Sequence, residues 1–298
     1  MADQTIGFIG LGLMGAAMVD RLLSKNHKVI VLGNKSRKGI EAALAKGATE
    51  ANSAKELASA SDIVMLCMGT SDHVESRMLG DNGVIAGLKP NTVVVDFGTS
   101  LPSSTKMLGE KVAAVGSQYL DGPLGRTPSH AMEGKLNIMA AGDKTAYDRI
   151  EPILNDLGEN VFHLGELGTG HTIKLFNNFL AMTTASAMSE IFAMAAKSGV
   201  DPQKVYDVMS AGPLHSMMMD FIKAYAIDGN PENLAFSIKN GSKDIGYYGQ
   251  MAEDLGVDSI MSKAAKNAMS AAIEDGYADN LVPEMVTFFK QKYSVTDS

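Results

Sequence analysis

The chain has 298 residues, of which 45% are hydrophobic and 20% charged, and its formal net charge is −8. This length supports two domains with a large core. The acidic balance and the lack of a long Lys/Arg cluster exclude a basic nucleic-acid-binding face, so no nucleic-acid partner is expected. No uninterrupted apolar run approaches the ~20 residues that span a bilayer, which predicts no membrane association.

The cysteine and histidine content limits which disulfides and metal sites the chain can form. Cys67 is the one cysteine, which excludes an internal disulfide, and the six histidines lack the spacing of metal ligands, so no metal is expected. The N-terminus, Met1 to Thr5, is not basic and leads directly into an apolar segment, unlike a secretory signal. A cytoplasmic location is therefore expected.

The first half of the chain alternates apolar strands with helical stretches. Helices are predicted over 14–25 and 38–46 from apolar residues at helical spacing. Strands are predicted at 5–10, 29–32, 62–68, 92–96, 119–121, 136–141 and 160–163. This alternation predicts right-handed crossovers and a largely parallel sheet, the α/β Rossmann-type doubly wound fold.

The second half of the chain is predicted to be helical throughout. A long connecting helix is predicted over 172–198, without proline or glycine. Further helices follow between Gly and Pro signals, at 201–210, 214–228, 233–255, 258–275 and 281–292. The sequence therefore predicts two domains, 1–165 with the sheet and 166–298 as an all-α domain.

A glycine-rich segment lies between the first predicted strand and the first helix. Its residues are Gly10, Leu11, Gly12, Leu13, Met14 and Gly15. In this context the first glycine permits a tight turn, the second lets the backbone approach a pyrophosphate, and the third lets helix and sheet pack closely. The segment predicts that residues 1–165 bind a dinucleotide; the alternative is a turn with incidental glycines.

The turn after the second predicted strand bears on the choice of cofactor. NAD sites usually carry an acidic residue there, whereas this chain has Gly33, Asn34, Lys35, Ser36, Arg37 and Lys38. Cations and a hydroxyl suit a 2′-phosphate, so NADP(H) is favoured over NAD(H). The alternative is a solvated basic turn.

A second glycine-containing segment, Gly168 to Asn178, opens the long helix. Lys174 and Asn178 are four residues apart and share a helix face, with Asn177 beside them. An ammonium facing a carbonyl can donate a proton as hydride arrives, and asparagine amides can hold a substrate. The alternative is a lysine and asparagines that face solvent.

Another turn, Asp121 to Thr127, follows the fifth predicted strand, where open α/β sheets place ligands. Within it, Gly125, Arg126 and Thr127 are candidates for binding an anion, because a guanidinium fork suits carboxylate, sulfonate or phosphate. The alternative is a surface loop with a salt-bridged arginine. On spacing alone, the Lys243-Asp244 pair is more typical of a helix surface.

Taken together, Gly7 to Gly15, Gly168 to Asn178 and Lys243-Asp244 resemble the β-hydroxyacid dehydrogenase family along essentially the whole chain. The resemblance implies an NAD(P)-dependent oxidoreductase with Lys174 as catalytic acid/base, assisted by Asn178. It implies that Thr99 touches nicotinamide and substrate. It also places Met68, Gly69 and Lys243 near the cofactor, and Phe236 and Asp244 near the substrate. Subunits of this family pair through the helical domain, which implies a homodimer or homotetramer.

The Gly125-Arg126-Thr127 turn departs from the Ser-Gly-Gly of most members and resembles the sulfolactaldehyde reductase branch. By that resemblance the partner is a small anionic aldehyde or hydroxy acid, with 3-sulfolactaldehyde favoured. A carboxylate substrate remains open: succinic semialdehyde, tartronate semialdehyde or 3-hydroxyisobutyrate. An imine reductase and a non-catalytic dinucleotide-binding protein are further alternatives, and the presence of Lys174 argues against both.

Overall fold

The computed structural model describes residues 4–33 and 36–295. The chain divides into two compact units, Met1–Lys174 and Leu175–Ser298. The first is an α/β structure and the second is helical, which confirms the predicted fold class. The division falls inside the long helix, later than the predicted domain boundary at residue 165.

A parallel sheet forms the centre of the first unit. Its strands are β1 (Thr5–Ile9), β2 (Lys28–Leu32), β3 (Thr49–Ala51), β4 (Ile63–Leu66), β5 (Val93–Asp96) and β6 (Gln118–Asp121). They lie in the order β3-β2-β1-β4-β5-β6. Val93, Val94 and Val95 are fully buried, as expected where helices cover both faces of a sheet. The chain order reverses beside β1, and in open α/β sheets this reversal creates a crevice at the carboxyl ends of the strands.

Helices connect these strands. In the first unit they are α1 (Leu13–Ser24), α2 (Lys38–Ala45), α3 (Ala54–Ala60), α4 (Ser71–Met78), α5 (Pro102–Ala113), α6 (Pro128–Glu133) and α7 (Lys144–Leu157). No bounds were predicted from the sequence for α3 through α7. Three of these begin at a side chain that accepts a backbone N–H, namely Ser53, Thr70 and Asp143. Such N-caps are readable from sequence and would have marked these helices.

Two of the predicted strands do not belong to the large sheet. They are β8 (Leu136–Ala140) and β9 (Gly158–His163), which form a small separate sheet with β7 (Leu124–Gly125), a strand that was not predicted. Strand β7 pairs antiparallel with β8, and β9 pairs parallel with it. Strands and helices therefore alternate as far as β9, but β8 and β9 do not join the large parallel sheet. Periodicity identifies a strand but carries no information on which sheet it joins.

The second unit is built from helices around an apolar core. Helix α8 (Thr169–Lys197) begins in the first unit and continues into the second. It is followed by α9 (Pro202–Ser210), α10 (Met217–Ala226), α11 (Ile238–Asp254), α12 (Ile260–Ala272) and α13 (Met285–Lys292). Methionines fill the core, and a Cβ added at Gly241 of α11 would lie 3.0 Å from the sulfur of Met182 and 3.2 Å from Met269. The glycine thus allows close helix packing against flexible side chains.

Helix α8 is also the one helix of the described residues that is long and apolar enough to cross a membrane by length and composition. Its most apolar window has a mean hydropathy of 1.3, and 44% of that window is buried inside the protein. No such segment is predicted from uninterrupted apolar runs, because polar residues interrupt α8, whereas an average over a window tolerates them. A core helix of a soluble protein passes the same test.

Candidate active site

The glycine loop after β1 has the geometry that its sequence predicts. Gly10 has φ +102°, and a Cβ there would lie 2.3 Å from the carbonyl oxygen of Cys67. A Cβ at Gly15 would lie 1.9 Å from the carbonyl oxygen of Gly10, so α1 packs directly against the turn. A Cβ at Gly12 would meet nothing within 4 Å. Turn, open approach and close packing therefore fall on the three glycines as the motif requires.

The start of α1 offers unpaired backbone donors. Gly12 is its N-cap residue and supplies no side-chain hydrogen bond, and the first turn carries no acidic residue. The first N–H groups of a helix have no partner within it, and together with the helix dipole they attract an anion. The backbone of Leu11, Leu13 and Met14 thus fits the pyrophosphate of a dinucleotide.

The turn after β2 is only partly described. Asn34 and Lys35 lie outside the described residues. Arg37 donates from Nη1 to Glu50 Oε1 at 2.6 Å and from Nη2 to Glu50 Oε2 at 2.9 Å. This bidentate pair lowers the pKa of the Glu50 carboxyl. Arg37, which the sequence predicts to bind a phosphate, is therefore already paired with a carboxylate. This partner was not predicted from the sequence.

The turns that follow β4 and β5 contact each other. Met68 and Gly69 follow β4, and a Cβ at Gly98 would lie 3.0 Å from the carbonyl oxygen of Met68. Asp96, the last residue of β5, accepts from the backbone N–H of Gly98 at 2.8 Å and from the Ser100 hydroxyl at 2.7 Å. The buried carboxylate thereby holds the turn that carries Thr99.

A second buried aspartate caps the start of α8. Asp121, the last residue of β6, accepts from the N–H of Gly168 at 2.8 Å and from that of His171 at 2.7 Å. Burial raises the pKa of the Asp121 carboxyl, although His171 and these backbone donors act in the opposite direction. A carboxylate at a helix N-terminus is stabilised by the helix dipole. This cap explains why α8 begins at Thr169, earlier than the predicted residue 172.

His171 connects the two aspartates. Its ring is fully buried, with Nδ1 2.7 Å from the Thr105 hydroxyl and Nε2 3.8 Å from Asp96 Oδ2. The backbone of His171 is bound by Asp121. We name Asp96, Thr105, Asp121 and His171 the buried polar cluster. It attaches both the Thr99 turn and the first turn of α8 to the carboxyl edge of the sheet. Lys174 follows in the next turn of α8, three residues after His171.

Within the second unit, the asparagines of α8 meet an acidic residue of α11. Asn178 donates from Nδ2 to Asp244 Oδ2 at 2.6 Å, and Asn177 donates to Asn178 Oδ1 at 3.2 Å. Lys243 Nζ lies 2.9 Å from Asp244 Oδ1. Asp244 is only 2% exposed, so the Lys243-Asp244 pair is not the surface feature that spacing alone favoured. Phe236 is half-buried, ahead of α11.

The Arg126 turn is arranged differently from its predicted role. Arg126 has φ +77°, and its Nη1 donates to Glu159 Oε2 at 2.5 Å and to the carbonyl oxygen of Lys135 at 2.7 Å. Thr127 Oγ1 lies 2.7 Å from His130 Nδ1. The arginine is thus salt-bridged at the surface, which was the alternative interpretation of this turn. An incoming anion would have to share or replace Glu159.

The fold and the glycine loop define a dinucleotide-binding protein, and the family models and relatives show that it is an oxidoreductase. Residues 5–165 match the family model for the NAD-binding domain of 6-phosphogluconate dehydrogenase, and residues 168–289 match that for the NAD-binding domain of NADP-dependent 3-hydroxyisobutyrate dehydrogenase. The chain belongs to the β-hydroxyacid dehydrogenase family, as a 3-hydroxyisobutyrate dehydrogenase-like member. This confirms the family predicted from the sequence.

Similar proteins cover nearly the whole chain. The uncharacterized oxidoreductase YkwC of Bacillus subtilis is 32% identical, over 89% of this chain and 91% of its own length. The 2-hydroxy-3-oxopropionate reductase of Escherichia coli is 29% identical, over 85% of this chain and 86% of its own. The solved structure of Psf3 in complex with NADP+ and 2-OPP is 25% identical, with a TM-score of 0.81 over 95% of this chain and 99% of that chain.

The sequence did not predict the residues that hold the turns of the site in place, namely Asp96 and Asp121, or the partners of the two arginines, Glu50 and Glu159. Asp96 and Asp121 each end a buried apolar strand, and a charged residue in that position is itself a usable signal. Glu50 and Glu159 had no such signal, because their partners are distant in sequence. Among the described residues no group of three or more His, Cys, Asp or Glu side chains could hold a metal ion.

Proposed function

We propose that this enzyme reduces a small aldehyde that carries an anionic group, with Lys174 as the proton donor. One observation carries the proposal. Helix α8 bears Lys174 and Asn178 one turn apart, and Asn178 is held by the buried Asp244 at 2.6 Å. A cation and an amide in fixed register on one helix can serve a reacting carbonyl.

The chain's residues have separate tasks in this scheme. A bound reduced nicotinamide dinucleotide supplies the hydride. The Lys174 ammonium gives a proton to the carbonyl oxygen, and in the reverse direction the amine takes it back from the hydroxyl. The Asn178 amide, oriented by Asp244, holds the substrate. The Asp121 cap fixes the start of α8 and therefore the position of Lys174.

The dinucleotide would be held by the backbone of Gly10 to Gly15, with Met68, Gly69, Thr99 and Lys243 near its nicotinamide end. We further propose that NADP(H) is favoured over NAD(H). Arg37 supports this preference, because its guanidinium stands after β2 and retains N–H groups beyond the two that bind Glu50. Ser36 adds a hydroxyl in the same turn.

For the anionic group of the substrate, two chemistries compete. The Gly125-Arg126-Thr127 turn supports a sulfonate, 3-sulfolactaldehyde, reduced to 2,3-dihydroxypropane-1-sulfonate. The name of the Escherichia coli relative supports a carboxylate semialdehyde. The ion pair of Arg126 with Glu159 weakens the case for a dedicated sulfonate clamp. Succinic semialdehyde, tartronate semialdehyde and 3-hydroxyisobutyrate are the carboxylate candidates.

Initial rates would test the proposal, measured with 3-sulfolactaldehyde, succinic semialdehyde and tartronate semialdehyde, each with NADH and NADPH, and with a cyclic imine. Turnover of an anionic aldehyde that is lost in Lys174→Ala supports it. A kcat/KM at least about a hundredfold higher for the sulfonate would assign the sulfonate substrate. Turnover of the imine alone, or of none of these with cofactor binding intact, would contradict the proposal.

We also propose a cytoplasmic homodimer or homotetramer that pairs through the second unit. Residues 255–261, which join α11 to the start of α12, support pairing, because Leu255 and Ile260 are 75% and 79% exposed and Val257 and Met261 are also exposed. Exposed apolar patches commonly mark protein interfaces. Sedimentation velocity of the wild type and of Ile260→Glu would test this; a monomeric wild type would contradict it.

A further inference from the structure

The end of β2 carries a glycine, and the ends of two charged side chains occupy the space beside it. In dinucleotide-binding sheets an acidic residue near this strand end binds the adenosine ribose. The corresponding residue here is Gly33, and a Cβ there would lie 2.3 Å from Glu50 Oε1 and 2.7 Å from Arg37 Nη1. The space that a side chain at this position would occupy is therefore filled by the Arg37–Glu50 ion pair.

The carboxylate in this space comes from the neighbouring strand. Glu50 is the middle residue of β3, which runs parallel to β2 with Glu50 opposite Val31. Its carboxylate reaches across to the end of β2 and receives both arms of the Arg37 guanidinium. Strand β3 thus supplies at this edge the acidic group that β2 itself lacks.

The two charges of the pair act differently on the two cofactors. A carboxylate accepts hydrogen bonds from ribose hydroxyls but repels a 2′-phosphate. Arginine has five N–H groups, of which Glu50 uses two, so Arg37 can bind a phosphate while it remains paired. The balance between Glu50 and Arg37 then determines how strongly one cofactor is preferred.

We propose that Glu50 is a cofactor-specificity residue that limits the preference for NADPH over NADH by holding Arg37 and placing a negative charge at the end of β2. Because a nicotinamide dinucleotide is the proposed cofactor, this role rests on the proposed function. Removal of the Glu50 charge therefore strengthens NADPH binding relative to NADH binding.

Isothermal titration calorimetry of the full-length protein with NADPH and with NADH tests this directly. In Glu50→Gln, the ratio of the Kd for NADH to the Kd for NADPH should rise about tenfold, because a unit charge near the phosphate is removed. The matched control is Glu41→Gln, which removes an equal charge from an exposed position on α2. The Glu41 carboxylate makes no side-chain hydrogen bond to Arg37 and raises the pKa of Arg37 less than Glu50 does, whereas its backbone N–H, which bonds the Arg37 carbonyl oxygen, is kept in the variant. Its ratio should stay within about twofold of the wild type.

A second variant separates charge from positioning. Glu50→Asp keeps the charge with a shorter side chain, so its ratio should shift less than that of Glu50→Gln. An unchanged or lower ratio in Glu50→Gln, or an equal shift in Glu50→Asp, overturns the role of Glu50. If the wild type binds both cofactors and reduces aldehydes, such a result leaves the proposed function intact. A wild type that binds neither cofactor would overturn both.

Discussion

Two arginines of the first unit occupy turns that the sequence assigned to anion binding, and each is paired with a glutamate on another strand. Arg37 presents both Nη atoms to Glu50 of β3, at 2.6 and 2.9 Å. Arg126 presents one Nη to Glu159 of β9 and shares it with a backbone carbonyl. The first pair fills the end of a strand of the large sheet, whereas the second belongs to the small sheet.

The comparison extends to the buried polar cluster. The two arginine pairs are solvated, so each charge is screened and each pair contributes little to stability. Asp96 and Asp121 are nearly inaccessible to solvent, and every oxygen of their carboxylates accepts a hydrogen bond. Solvated pairs can exchange partners with a ligand, whereas the cluster can only hold its neighbours in place. This difference separates residues suited to binding from residues suited to positioning.

Lys174 is the cation whose place depends on the cluster, and its loss should have the largest effect. Lys174→Ala should lower kcat about a thousandfold, because a general acid is removed, while cofactor affinity is retained. Lys174→Arg should not restore the rate, since a guanidinium does not give up a proton near neutral pH. Stopped-flow rates with calorimetric cofactor binding would measure this. The exposed Lys204→Ala is the control, and a kcat within tenfold of wild type in Lys174→Ala would refute the assignment.

Cys67 follows β4 and is half-buried, so its reactivity measures how far solvent and reagents reach this edge of the sheet. Burial, with a smaller contribution from the charge of Asp96, raises the pKa of its thiol to about 12. The thiolate is the reactive form, and its low abundance is partly offset by higher nucleophilicity. Alkylation by iodoacetamide at pH 8 should therefore be roughly a hundredfold slower than for a free cysteine. The alkylation rate should increase as pH rises toward 12, and it should reach the free-cysteine value when urea unfolds the chain. Equal rates in the folded and unfolded chain would contradict a raised thiol pKa in the folded protein.

The cap on α8 should contribute measurably to stability. Asp121→Asn leaves one oxygen for two backbone donors and turns an NH2 group toward one of them. The free energy of unfolding should fall by about 2 kcal/mol, measured by urea denaturation at pH 7. The exposed Asp81→Asn should change it by less than about 0.5 kcal/mol. If Asp121→Asn were as stable as the control, the cap would not hold the helix.

The Arg126 turn should give the smallest effect and decides whether a solvated pair serves binding. Arg126→Ala should raise the KM for the anionic aldehyde about tenfold with little change in kcat, and should cost less than about 1 kcal/mol of stability. Glu159→Gln, which frees the guanidinium, should lower KM. An unchanged KM in both variants would show that the Arg126–Glu159 pair is structural only.

The sequence by itself determined the features that lie within one continuous segment. The glycine loop follows from the spacing of Gly10, Gly12 and Gly15, since the turn and the helix start are local. The one-turn separation of Lys174 and Asn178 follows from helix geometry. The buried strands of the large sheet follow from their apolar runs. Each was predicted because the physical constraint acts between near neighbours in the chain.

Tertiary structure decided every feature that depends on contacts between segments far apart along the chain. The short polar strand β3 has no apolar signal, so the sequence could not place Glu50 beside Arg37. The earlier start of α8 depends on Asp121, which lies 47 residues before Gly168. The availability of Arg126 depends on Glu159 of β9. A charge can be read from a sequence, but its partner is chosen by the packing of segments that are far apart along the chain.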